Sequence, residues 1–100
     1  MDIYDAAYDF SVRVAELVRY LNEDSRDFPL CGKLLDCGVG AGLSVRDNDC
    51  SSAARWIRQA DYIIEMAAKS GYLTDGQSRP IREVAIHLLA LLDPVPTKET

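Results

Sequence analysis

The stretch Ala53-Ala54-Arg55-Trp56-Ile57-Arg58-Gln59-Ala60-Asp61-Tyr62-Ile63-Ile64-Glu65-Met66-Ala67-Ala68-Lys69 decides the fold class. Ala53, Trp56, Ile57, Ala60, Ile63, Ile64, Ala67 and Ala68 recur at intervals of three and four, the spacing of one broad apolar helix face. Arg55, Arg58, Asp61, Glu65 and Lys69 fill much of the remainder, where Arg58–Asp61 and Glu65–Lys69 have the spacing of surface ion pairs. Asn48, Asp49, Ser51 and Ser52 offer capping oxygens at its start, and the spacing predicts a helix over 52–70. Gly71 stands where a left-handed terminating residue belongs, and Tyr72 and Leu73 follow to fold back over the helix end.

Working outward, the same periodicity predicts a helix over 3–22 from Ala6, Phe10, Val14, Leu17, Val18 and Leu21. Asp9–Arg13 and Glu16–Arg19 have ion-pair spacing on its polar side, and Tyr4 and Tyr8 widen the apolar face at its start. Phe28-Pro29 then enforces an extended break. Between 30 and 45, apolar spacing at Cys31, Leu34, Leu35, Gly38, Gly42 and Val45 favours a second helix. Gly38, Gly40 and Gly42 work against it, each costing about 1 kcal/mol relative to alanine. Either the small residues admit a neighbouring backbone or the stretch is partly irregular. A last helix opens at Ser78 or Arg79 with Pro80 in its first turn, and buries Ile81, Val84, Ala85, Leu88, Leu89 and Leu92. Pro94 and Pro96 end it. Short connections and the absence of sustained period-two alternation predict an all-α, antiparallel up-down four-helix bundle over 1–93, with a flexible tail at 94–100.

Composition narrows the function. Apolar residues make up 48% of the 100-residue chain and charged residues 27%, which folds as one domain. The apolar run from Ala85 to Leu92 is too short to span a bilayer, and the opening Met1-Asp2-Ile3-Tyr4 has neither the basic nor the apolar part of a secretion signal. A cytoplasmic location without membrane contact is expected. The net charge of −5 disfavours loose binding to nucleic acid. Acidic residues crowd the first 28 positions, whereas Arg46, Arg55 and Arg58 gather later, so the molecule is dipolar.

Catalytic and metal chemistry finds few candidates. His87 has only Glu83 near it on the last helix and reads as a core-edge or interface histidine. Glu83 and His87 are one residue too far apart for a Glu-x-x-His motif, and Asp61 with Glu65 would need ligands from elsewhere. Cys31, Cys37 and Cys50 make no CxxC pair, and Cys37 has no base in sequence to make it a thiolate. The glycines match no phosphate loop. No enzyme, cofactor or metal is expected.

The second helix carries only Asp36 as a charge between Leu34 and Val45, so it should meet neighbours on more than one side. Leu34, Gly38, Ala41, Gly42, Val45 and Trp56 are the expected self-association surface. An acidic first helix and a more basic start to the third would let copies pair head to tail in a ring. The expected role is a scaffold or protein-interaction module binding itself or another protein. The alternative is a nucleic-acid-binding accessory protein using Arg46, Arg55 and Arg58.

Phe28-Pro29 after the first helix, the spacing of Leu34, Ser44 and Asn48, and the third helix with its Gly71-Tyr72-Leu73 ending carry a resemblance. The chain resembles the S23-like four-helix bundle proteins encoded in intervening sequences of bacterial 23S ribosomal RNA genes. Accessory proteins of diversity-generating retroelements share that fold. The resemblance covers most of the chain to about Leu92. It implies oligomers, commonly pentamers, without catalytic activity, and in the retroelement branch a basic surface for a reverse transcriptase and nucleic acid. Here Val39 and Gly40 stand where that family usually places an arginine pair, and Asp49, Cys50 and Ser51 follow Asn48, so the basic surface is largely missing.

Overall fold

In the computed structural model, which describes residues 2–23 and 27–92, α1 spans Ile3–Asn22, α2 Cys31–Arg46, α3 Cys50–Lys69 and α4 Asp75–Leu92. Each helix packs on its sequence neighbour and α4 closes back on α1. The diagonal pairs α1–α3 and α2–α4 bring no Cα atoms within 8 Å of each other among the described residues. This is an up-down four-helix bundle. Phe10, Val14, Leu21, Leu34, Cys37, Ile57, Ile64 and Leu88 fill its centre, all fully buried. The expected tail at 94–100 lies outside the described residues.

The helix ends follow from capping chemistry. Asp2 accepts from the Asp5 N–H at 2.9 Å and starts α1. Asp49 accepts from the Ser52 N–H at 3.1 Å and starts α3. Asn48, just before it, adopts φ 60°, a left-handed conformation that asparagine tolerates. At the far end of α3, Gly71 has φ +92°, and the Tyr72 N–H donates to the Ala67 carbonyl at 2.9 Å. The chain does fold back there: Leu73 is buried, and the Tyr72 ring meets Phe28 edge-on at 4.9 Å.

One boundary corrects the sequence expectation. The last helix begins at Asp75, a turn before Ser78. Thr74 Oγ1 accepts from the Gln77 N–H at 3.1 Å while Gln77 Oε1 accepts from the Thr74 N–H at 2.8 Å. That reciprocal box satisfies two end donors and nucleates the helix ahead of the proline. Pro80 therefore lies in the second turn, where it omits one helical donor on an exposed side.

The three glycines of the mid-α2 stretch resolve the ambiguity in favour of a continuous helix. A Cβ on Gly38 would lie 2.7 Å from Val14 Cγ1, and one on Gly42 would lie 2.7 Å from Ser11 Oγ, both on α1. On the other flank, a Cβ on Gly40 would lie 2.5 Å from the Trp56 ring of α3. Glycine thus lets α2 approach two helices at once. The Ser11 hydroxyl uses that closeness, donating to the Gly38 carbonyl at 2.7 Å, with the Ala7 carbonyl 3.2 Å away.

Two substitutions separate close approach from helix propensity. Gly40→Ala should destabilise the bundle by about 1–3 kcal/mol, because the Trp56 ring must move. Gly32→Ala, where nothing lies within 4 Å, should stabilise it by about 0.4–1 kcal/mol. Urea unfolding followed by circular dichroism measures both; equal effects would contradict the packing assigned to Gly40.

Candidate interaction surface

Along α1, exposed apolar side chains recur at Tyr4, Tyr8 and Val12; along α2 they recur at Leu35, Val39 and Leu43. Both sets step by four residues, so each runs as a ridge along the outside of its helix. The two ridges flank the glycine-lined seam. Tyr4, Tyr8, Ser11, Val39, Gly42, Leu43 and Arg46 line a groove of about 170 Å³ there. Tyr8 is 62% exposed and Leu43 55%, values a bundle core does not need. Tyr4 is held at the groove's end by donating its hydroxyl proton to Asn48 Oδ1 at 2.9 Å.

This placement corrects most of the expected interface. Leu34, Gly38, Ala41 and Val45 are buried inside the chain's own bundle, where they face α1 and the core. Gly42 is half-buried at the groove floor, and Trp56 is half-buried over Gly40 of the same chain. The charge-poor character of α2 does reflect neighbours on two sides, but those neighbours are α1 and α3. Exposed Leu35, Val39 and Leu43 form a separate stripe on that helix. Their signal in the sequence is the four-residue step lying off the Leu34–Gly38–Ala41–Val45 line.

The arginines also divide. Arg46 lines the α1–α2 groove, whereas Arg55 and Arg58 line another of about 270 Å³ with Lys33, Gln59, Tyr62 and Ile63, between α2 and α3. Lys33 joins them from a different helix, a proximity that no local spacing announces. No carboxylate lines this second groove, and none of its three cations has an ion-pair partner among the described residues. Asp49 feels Arg55 only weakly; its carboxyl is held below the ordinary range first by hydrogen bonds from Ser52.

Other polar groups are committed to the fold. Arg82 on α4 donates to Asp61 Oδ1 at 2.8 Å and Oδ2 at 3.3 Å and reaches Glu65 at 3.6 Å, so neither acid takes the intrahelical partner expected of it. Asp9–Arg13 forms at 2.8 Å as expected, but Arg19 turns to Glu23, at 4.0 Å, instead of Glu16. His87 and Glu83 lie with Asp9 and Arg13 along an open α1–α4 groove of about 370 Å³. Among the described residues, no three His, Cys, Asp or Glu side chains cluster as metal ligands. Also among them, no helix is long and apolar enough to cross a membrane.

Burial raises the Cys37 thiol above its ordinary value, more than nearby Lys33 lowers it, and burial does the same for Cys31. Cys50 is exposed. Ellman's reagent should therefore titrate one thiol in the native protein and three in denaturant; rapid native reaction of all three would contradict this packing.

No sequence-family profile matches the chain, and no curated protein matches it either. Among solved structures, it is similar to a protein of unknown function from the S23 ribosomal protein family of Bacteroides thetaiotaomicron, at 19% identity and a TM-score of 0.88. The match covers 97% of this chain and 100% of that one, so the two share the whole four-helix fold.

Proposed function

We propose that this chain is a non-enzymatic helical module that associates with copies of itself and works in the cytoplasm as a scaffold or protein-interaction unit. The observation that carries the reading is the outer α1–α2 face, where six large apolar side chains stand exposed in two parallel ridges. Burying such a face is favourable by about 25 cal/mol for each Å² of apolar surface removed from water. A second copy is the occupant the charges favour: the chain carries both an acidic α1 flank and a cationic α3 face. The shared fold with a member of the S23 family agrees with this reading and names no activity.

Binding of nucleic acid has less behind it. The net charge is −5, and Arg46 lies in a different groove from Arg55 and Arg58, so the three do not make one phosphate-binding surface.

Light scattering coupled to size exclusion should find a mass above the 11.1 kDa of one chain. Val39→Lys with Leu43→Lys should return the protein to one chain while leaving its helical content intact, because both positions are exposed. A wild-type monomer across the micromolar range would overturn the self-association reading.

A further inference from the structure

The outer α3 surface differs in charge from the α1–α2 face but matches it in shape. Tyr62, 66% exposed, and Met66, one turn on, make a short apolar ridge. Arg55, Arg58 and Lys69 are exposed around that ridge, and Lys33 stands across the adjoining groove. Glu65, the nearby acid, is engaged by Arg82. On the α1–α2 face carboxylates outnumber cations beside the apolar positions: Asp5 and Glu16 follow the α1 ridge round its helix, and Asp36 and Asp47 follow the α2 ridge. Arg19, two turns beyond Val12, is engaged by Glu23 at 4.0 Å. Arg46, at the groove's end, is the one cation in its lining.

Resting on the self-association reading, we propose that copies join through these two different faces, the Tyr62–Met66 ridge of one seated in the Tyr4–Tyr8–Val39–Leu43 groove of the next. Pairing either face with its own copy fails on charge. Two α1–α2 faces would set Asp5, Glu16, Asp36 and Asp47 against themselves, and two α3 faces would do so with Arg55, Arg58 and Lys69. Only the crossed arrangement buries both apolar ridges and brings Arg55 and Arg58 to the carboxylate edges. Such a joint is heterologous, so an open assembly keeps one free face of each kind, at its two ends, until it closes. Its cationic half makes the joint salt-sensitive, since exposed pairs are screened over about 8 Å at physiological ionic strength.

Charge exchange tests it. Arg55→Glu with Arg58→Glu in one variant, and Asp36→Lys with Asp47→Lys in another, should each lower the mass in solution to 11.1 kDa with unchanged circular dichroism. Mixing the two variants in equal amounts should restore the larger species, because each reversed face then meets its opposite. A wild-type monomer would remove the self-association reading and this joint together. An associating wild type whose mass survives both reversals would overturn the joint alone. If the arginine variant keeps its mass but loses retention of a single-stranded oligonucleotide, the α3 face serves nucleic acid and the joint is likewise overturned.

Discussion

The closeness of α2 to both its neighbours is the constraint from which the rest of the bundle follows. Gly38 and Gly42 receive Val14 and Ser11 on one flank, and Gly40 receives the Trp56 indole on the other. A Cβ at Gly38 would press on the branched Val14 side chain and one at Gly40 on the Trp56 ring, disturbing the core around Leu34, Cys37 and Ala41, all fully buried. One at Gly42 would turn the Ser11 hydroxyl away. Dispersion forces are short-ranged, so a gap of even half an ångström forfeits much of the contact. The Ser11 bond to the Gly38 carbonyl has the same requirement, since it closes at 2.7 Å only while the backbones stay near. In return the chain accepts three residues that individually disfavour a helix, an opposition that tertiary packing overrides.

The fourth helix is attached by different means. Polar contacts clamp it at the side and near its start, through Arg82 on Asp61 and through the Gln77 side chain, which donates to the Tyr20 hydroxyl at 2.8 Å. Its seam with α1 is left open as a groove beside Pro80, Val84 and His87. Partly exposed ion pairs contribute modestly to stability, so the buried apolar row Ile81, Ala85 and Leu88 carries most of the docking, while the box at Thr74 only caps the helix itself. The core is thus tightest around α2 and loosest along α4.

Much of the fold was legible because it depends on periodicity. The bounds of α1, the end of α3 at Gly71 and the fold-back of Tyr72 and Leu73 could all be read from local spacing. The start of α4 could not, because Pro80 looks like a first-turn residue until Thr74 and Gln77 are recognised as a reciprocal cap. Partners across helices were equally hidden: Arg82 lies 21 residues from Asp61, and Lys33 reaches Arg55 and Arg58 only through the packing of α2 on α3. For the interaction surface, a charge-poor helix correctly signalled contact on two sides. It could not say whether those sides belong to the same chain. Small residues at Gly38 and Ala41 suit a neighbour's backbone equally well in either case, and only the folded chain shows that α1 supplies it.

The glycine seam also partitions the information that α2 carries. Its inner line and its flanks encode the architecture, while Leu35, Val39 and Leu43 stand exposed on the outside, off the core line. Sequence drift along that outer line can therefore rewrite which surfaces recognise one another without disturbing the scaffold beneath. Two proteins that share the whole fold at 19% identity thus need not share their outer lines.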